Sequence, residues 1–142
     1  DCAVAKGGDT SVTAAMLYYP PTNFDSFKGG FAQVLEIELK RMAKLKKKSE
    51  VKEYKIKNSP ITYVGQAPPL FIAYSDPDSI VPTQQQTEMI AALKSAGRIF
   101  ESYEVTGEGM DHGFILSKPD SPQSIEANRR MFAFMEKYLK GK

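Results

Sequence analysis

Residues 69–75 place the strongest constraint on the fold, because they form an almost entirely apolar run. The run reads P-L-F-I-A-Y-S, and the prolines before it and Asp76-Pro77 after it predict a loop at each end. A strand of this kind is typical of a parallel sheet that is covered on both faces. Residues 12–19 and 98–105 predict two further strands, and the more polar face of the latter places it near a sheet edge.

Helical patterns lie between and after these strands. Apolar residues recur at helical spacing in residues 31–48, 82–96 and 121–139. Residues 49–64 are mixed and polar, and they predict irregular structure with one short strand. Strands that alternate with helices predict an α/β fold with a parallel sheet and helical crossovers.

Side chains at the helix ends refine two of these predictions. Thr83 and Gln86 predict a capping box at the start of the helix over 82–96. Ser121 and Pro122 predict an N-cap and the first helical position of the last helix. The apolar residues of that last helix share one face, which is formed by Ile125, Phe132, Met135 and Leu139.

Composition excludes several classes of protein. The chain has 142 residues, enough for one domain, and a net charge of +2, which is too small to indicate nucleic acid or a membrane surface. Lysines crowd residues 40–57, which is typical of a solvated helix face, with an anionic partner as the alternative. One cysteine excludes an intrachain disulfide, and no run approaches the ~20 apolar residues of a membrane span. With one histidine and no phosphate or dinucleotide motif, we expect no metal and no cofactor.

Residues that could transfer protons follow two of the predicted strands. Asp76 and Asp78 come directly after residues 69–75, and His112, the only histidine, follows residues 98–105. Active groups of an open α/β sheet lie at the carboxyl ends of its strands, so an aspartate of the first loop can reach this imidazole. The carboxylate would fix the ring tautomer and stabilise the imidazolium. The alternatives are loop formation by the aspartates and a structural role for the histidine.

These two loops resemble those of α/β-hydrolases of the esterase/lipase type. The stretch P-P-L-F-I-A-Y-S-D-P-D-S-I-V-P is similar to the family's acid loop, an apolar strand followed by H-G-D-x-D-x-x-V-P. The stretch V-T-G-E-G-M-D-H-G-F is similar to its histidine loop, which ends in H-G-F. With A-A-M-L-Y-Y-P-P-T-N-F and N-S-P-I-T-Y-V, which also resemble family segments, the likeness covers nearly the whole chain. It is closest to the carboxylesterase and feruloyl-esterase-like branch.

The resemblance implies the C-terminal half of an enzyme that hydrolyses carboxylic esters. It implies that Asp78 is the acid and His112 the base of a catalytic triad, with Asp76 in a supporting role. Asp111 departs from the family pattern, and it either perturbs the histidine or faces solvent. The nucleophile motif G-x-S-x-G does not occur in the chain, which begins just past the place where the family has it. We therefore expect residues 1–142 to form the C-terminal part of one hydrolase domain that lacks the nucleophile.

The resemblance also suggests a substrate site and partners. Residues 24–64 fall where family members often have an insertion or cap, and Tyr18 and Tyr19 could line a pocket at the end of a strand. The expected partners are a small-molecule ester and either the missing N-terminal half or a second copy of the chain, with no nucleic acid. Two other functions stay open. One is a non-catalytic fragment that dimerises or binds, and the other is part of a peptidase of the prolyl-oligopeptidase type.

Overall fold

The computed structural model describes residues 12–139 and contains a parallel three-stranded sheet in the order β1-β2-β3. The strands are β1 (Ala15–Tyr18), β2 (Leu70–Ser75) and β3 (Phe100–Val105). In the described part of the chain, β2 is central and all 6 of its residues are buried. The predicted parallel α/β sheet is therefore confirmed, and β3 lies at its edge as expected.

Helices connect the strands and follow the last one. The elements between β1 and β2 are α1 (Gly30–Ala43), α2 (Lys48–Asn58) and a 3₁₀ segment (Pro60–Gln66). The helix between β2 and β3 is α3 (Gln84–Ser95), and β3 is followed by α4 (Phe114–Ser117) and α5 (Pro122–Leu139). Across residues 12–139, none of the helices has the length and apolar character needed to cross a membrane.

The core lies on both faces of β2, because successive side chains of a strand point to opposite faces. On one face, Ile72 packs in a cluster with Met89 and Leu93 of α3. On the other face, the ring of Phe71 lies 5.9 Å from the ring of Phe134 of α5. The two helices thus cover opposite faces of the sheet, as the apolar composition of β2 predicts.

The region predicted as one helix followed by irregular structure contains two α-helices and the 3₁₀ segment instead. The first helix ends early because Lys44 adopts a left-handed conformation with a φ of 55°. At the start of α2, the carboxylate of Glu50 accepts the backbone N–H groups of Lys46 and Lys47 at 3.0 and 2.9 Å. Val51 is the buried residue of α2, so the sequence of this helix shows little apolar periodicity. The predicted short strand in residues 49–64 is wrong, because these residues belong to α2 and the 3₁₀ segment.

The apolar face predicted for α5 is not the face that this helix buries. The predicted residues Ile125, Phe132 and Leu139 are 57%, 63% and 50% exposed. The buried residues of the helix are Ser124, Ala127 and Phe134. Small residues let α5 approach α4 closely: Ala127 packs against Phe114, and the hydroxyl of Ser124 donates to the carbonyl oxygen of Phe114 at 3.2 Å.

The two predicted helix caps have different outcomes. At α5 the N-cap is confirmed, since the hydroxyl of Ser121 accepts the backbone N–H of Ser124 at 3.2 Å. At α3 the predicted capping box is wrong, because Thr83 makes no side-chain cap hydrogen bond. Its hydroxyl donates to the carbonyl oxygen of Asp76 at 2.7 Å, and Gln86 donates to that of Pro20 at 3.0 Å. Both side chains therefore connect α3 to the loops at the carboxyl edge of the sheet.

Candidate active site

The three residues that the sequence singled out for proton transfer lie at the carboxyl edge of the sheet. Asp76 and Asp78 lie in the loop after β2, and His112 lies in the loop after β3. The two strands pair in parallel up to Ser75 and Val105. The backbone N–H of Asp76 extends this pairing by donating to the carbonyl oxygen of Val105 at 3.0 Å. The sheet therefore brings the two loops to the same place.

The carboxylate of Asp78 and the imidazole of His112 are in direct contact. Nδ1 of His112 lies 2.9 Å from Oδ2 of Asp78, and the side chains of the two residues are 29% and 1% exposed, respectively. The other oxygen of Asp78, Oδ1, accepts the backbone N–H groups of Ile80 and Val81 at 2.9 and 2.7 Å. Because an ionised carboxylate can only accept hydrogen bonds, this contact favours the tautomer that has the ring proton on Nδ1 and the basic lone pair on Nε2.

Asp76, the other aspartate of this loop, forms hydrogen bonds through its backbone. Its N–H donates to Val105, and its carbonyl oxygen accepts the hydroxyl of Thr83. Of the two carboxylates that the sequence left open, Asp78 is thus the one that the fold brings to His112.

The loop that carries His112 is held by two hydroxyl groups. The hydroxyl of Ser75, at the end of β2, donates to the carbonyl oxygen of Met110. The hydroxyl oxygen of Tyr19 accepts the backbone N–H of Ile115 at 2.9 Å. These contacts fix the chain on both sides of His112. They have no local signal in the sequence, because the partners lie 35 and 96 residues apart.

Tyr19 also packs against the imidazole. The ring centroids of Tyr19 and His112 are 5.0 Å apart, and the ring planes are inclined by 52°. Burial raises the pKa of Tyr19 above its ordinary value, so the phenol keeps its proton at neutral pH. The hydroxyl of Tyr18 donates instead to Oδ1 of Asn128 on α5 at 3.2 Å. That both tyrosines line a substrate pocket stays a prediction, and Tyr19 is the one beside His112.

The lysine-rich region forms a separate surface. A cleft of about 340 Å³ is lined by residues of α1 and α2 with Phe27, and neither Asp78 nor His112 contributes to it. Inside the cleft, Glu36 accepts hydrogen bonds from Lys40 at 2.7 Å and from Lys55 at 2.9 Å. These two lysines lower the pKa of Glu36 to about 2. Part of the positive charge in residues 40–57 is therefore paired with Glu36 of α1.

Comparison with protein families identifies a domain model that covers most of the chain. The BD-FAE family model, which describes an α/β-hydrolase-type esterase domain, matches residues 3–93. The match includes Asp78 and ends within α3, so His112 lies beyond it. No curated protein sequence matches the chain.

Several solved structures with a similar fold are hydrolases. Acylaminoacyl peptidase from Pyrococcus horikoshii superposes with a TM-score of 0.73 at 20% identity, over 97% of this chain and 22% of that one. Esterase B from Lactobacillus rhamnosis gives 0.73 at 15% identity, over 97% and 45%. A truncated form of a carbohydrate esterase from gut microbiota gives 0.68 at 18% identity, over 93% and 45%. The chain therefore has a partial α/β-hydrolase fold and spans less than half the length of each of these proteins.

Proposed function

Because this chain belongs to the BD-FAE family of α/β-hydrolase-type esterase domains, we propose that it supplies the acid and the base of a serine-hydrolase-type site that cleaves carboxylic esters. The observation that carries the proposal is the 2.9 Å contact between Nδ1 of His112 and Oδ2 of Asp78. An acid–base pair needs a nucleophile to transfer an acyl group. In this proposal a serine and the N–H groups that bind the oxyanion come from another segment or another chain.

In the proposed reaction His112 is the general base. Its Nε2 takes the proton of the serine hydroxyl while the serine oxygen attacks the carbonyl carbon of the ester. Asp78 stabilises the resulting imidazolium through the hydrogen bond from Nδ1. The imidazolium then gives its proton to the leaving alcohol, and an acyl-enzyme remains. Water that is activated by the same nitrogen hydrolyses the acyl-enzyme and releases the carboxylic acid.

The substrate would lie beside His112 and Tyr19. The imidazole is partly exposed whereas the carboxylate of Asp78 is shielded from water, so substrate can approach the base from the solvent side. Tyr19 forms a wall of this site, and Tyr18 supports the wall, since their ring centroids are 5.9 Å apart. Residues 24–64 act as a cap-like segment in this proposal, because they leave the sheet after β1 at the same edge.

The experiment restores a nucleophile in trans. The chain is co-expressed with the N-terminal part of a BD-FAE-family esterase that contains G-x-S-x-G, and the purified complex is assayed with p-nitrophenyl acetate. We expect His112→Ala to lower the rate by about 10²–10⁴-fold, and Asp78→Asn to lower it sharply. Asp76→Asn is the matched control, because it makes the same change two residues away in the same loop. A folded complex that keeps full activity without the imidazole of His112 rules out the proposal.

A non-catalytic binding module is the second candidate, and the sheet edge favours it. Within residues 12–139, β1 pairs with β2 alone, and Met16 on β1 is 39% exposed. An uncovered strand edge can pair with another chain. Size-exclusion chromatography with light scattering separates the two functions. A stable dimer without activity in the trans assay favours the binding module, whereas a monomer that forms an active complex excludes it.

Amide hydrolysis by a peptidase of the prolyl-oligopeptidase type is a lesser alternative. One of the similar solved structures is an acylaminoacyl peptidase. An acylaminoacyl p-nitroanilide and the matching p-nitrophenyl ester, assayed on the same complex, distinguish the two substrate classes. Turnover of the anilide identifies a peptidase, and turnover of the ester alone identifies an esterase.

A further inference from the structure

Asp111 joins the two loops of the candidate active site. Its Oδ1 accepts the backbone N–H of Ser79 at 2.7 Å and that of His112 at 2.6 Å. Its Oδ2 accepts the hydroxyl of Ser79 at 2.7 Å. Ser79 directly follows Asp78, and Asp111 directly precedes His112. One carboxylate therefore connects the immediate neighbours of the two residues that form the acid–base pair, and we call these three hydrogen bonds the Asp111 clamp.

The Asp111 clamp differs in position from the other contacts between the loops. The bonds from Ser75 to Met110 and from Asp76 to Val105 lie at the strand ends, closer to the sheet. The clamp acts at the level of the pair itself, one residue from each partner. Because hydrogen bonds weaken steeply with distance and angle, a small relative shift of the two loops is enough to weaken the bond from Nδ1 to Oδ2.

We propose that Asp111 is a positioning residue that holds the loop of His112 against the loop of Asp78, so that the imidazole keeps its Nδ1–H tautomer and leaves Nε2 as the basic nitrogen. Hydrogen bonds to a charged acceptor are the stronger kind. The N–H and hydroxyl of Ser79 lower the pKa of Asp111 below its ordinary value, so the carboxylate is ionised at neutral pH. The consequence for catalysis rests on the proposed function, whereas the effect on the tautomer does not.

The single histidine of the chain makes the test direct, because one imidazole gives one set of signals. The full chain is labelled with ¹⁵N-histidine, and two-dimensional NMR above the ordinary histidine pKa reports the tautomer and the exchange of the Nδ1 proton with water. We expect the parent to have the Nδ1–H tautomer and slow exchange. In Asp111→Ala we expect a mixture of tautomers and about tenfold faster exchange, the factor for loss of about one net hydrogen bond.

Two further variants separate positioning from charge and from general destabilisation. Glu108→Ala removes the same charge from an exposed position in the same loop, and it should leave tautomer and exchange unchanged. Ser79→Ala keeps the charge of Asp111 and removes only its hydroxyl partner, so its effect should be intermediate. Adding Ser79→Ala to Asp111→Ala should have no further effect, since both act through the same clamp.

The proposal is overturned if Asp111→Ala keeps the tautomer and exchange rate of the parent, or if Glu108→Ala changes them equally. If Asp111→Ala does not fold, Ser79→Ala decides, and a spectrum identical to that of the parent overturns the proposal. None of these measurements needs a serine or turnover. A failed trans assay with the expected spectra therefore counts against ester hydrolysis alone, and the reverse outcome counts against the Asp111 clamp alone.

Discussion

Tyr19 makes one hydrogen bond to the histidine loop, in which its hydroxyl oxygen accepts the N–H of Ile115 at 2.9 Å. Tyr19→Phe removes this acceptor and leaves the ring in place beside His112. We expect the amide hydrogen of Ile115 to exchange faster with solvent. We also expect the free energy of unfolding to fall by about 0.5–1.5 kcal/mol, the usual net contribution of a hydrogen bond. Hydrogen exchange by NMR and urea denaturation measure the two effects.

Tyr18→Phe is the matched control for this change, because it removes a hydroxyl from the adjacent residue. The partner of that hydroxyl is Asn128 on α5, so the exchange of the Ile115 amide should stay at the parent rate. If Tyr19→Phe also leaves that rate unchanged, the phenol does not hold the loop.

At the scale of residues, the sequence could predict the pair but not its supports. Asp78 and His112 follow strands, and the order of strands and loops can be recognised along the chain. The hydroxyl of Tyr19 accepts the backbone N–H of Ile115, which lies 96 residues away in the sequence. A pattern of apolar residues along the chain cannot predict such a contact. The sequence also left two roles open for Asp111, and only the path of the acid loop places Ser79 next to it.

At the scale of elements, Glu36 connects α1 to α2 by accepting hydrogen bonds from Lys40 of its own helix and Lys55 of the next. These lysines lower the pKa of Glu36 from 4.5 to about 2. A carboxyl group with a lowered pKa contributes stability that is present above the unfolded-state value and is lost as the pH falls through the folded-state value. We therefore expect the contact between α1 and α2 to persist above about pH 4.5 and to weaken between there and about pH 2.

A ¹³C NMR titration of the Glu36 carboxyl measures this directly. Lys55→Ala should raise the midpoint towards the ordinary glutamate pKa of 4.5, since it removes one of the two partners. Lys52→Ala is the control, because this lysine lies on the same helix and is not a hydrogen-bond partner of Glu36. A midpoint near 4.5 in the parent chain contradicts the prediction.

Two phenylalanines of α5 test which face of this helix is buried. Phe134 is 1% exposed and packs on β2, whereas Phe132 is 63% exposed. Phe134→Ala should lower the free energy of unfolding by about 3–5 kcal/mol, the usual result of emptying a core position. Phe132→Ala makes the same change on the exposed side and should cost less than about 0.5 kcal/mol. Urea denaturation of both variants checks the difference, and equal losses would refute the assignment of the faces.

The elements that the sequence predicted well are those whose burial leaves a periodic apolar pattern. β2 is buried along its whole length, and α3 buries Met89 and Leu93 on one side. The helix α2 buries one side chain, Val51, so periodicity could not detect it. α5 has apolar residues on opposite sides, because at about 100° per residue Phe132 and Phe134 point roughly 200° apart. Packing against the sheet buries the side that carries Phe134 and leaves Phe132 exposed.

At the scale of the whole molecule, the described chain consists of a buried sheet core and a helical part that lies largely outside it. The 3₁₀ segment belongs to the core, since Ile61 and Val64 pack against the cluster around β2. α1 instead exposes several large apolar side chains, namely Phe31, Val34, Ile37 and Met42, at 48%, 47%, 62% and 65%. We therefore predict that residues 30–58, within the proposed cap-like segment 24–64, open without disturbing the sheet.

This division predicts two levels of stability. Regions with few buried contacts open locally, whereas core strands exchange their amide hydrogens only on global unfolding. We expect the amides of α1 and α2 to exchange by local opening, with a lower free energy than those of β2. Native-state hydrogen exchange at increasing urea concentration measures both, and α3, a helix of similar length that packs on β2, is the control and should follow the strand.

The same measurement bears on the candidate active site. Asp78 and His112 are held by loops that follow β2 and β3, and their supports come from Ser75, Tyr19 and Ser79, all outside α1 and α2. The imidazole signals of His112 should therefore stay unchanged at urea concentrations where α1 and α2 exchange freely. If these signals change together with α1, the acid–base pair depends on the cap-like segment. If they change only with β2, the sheet preserves the geometry of the pair independently of that segment.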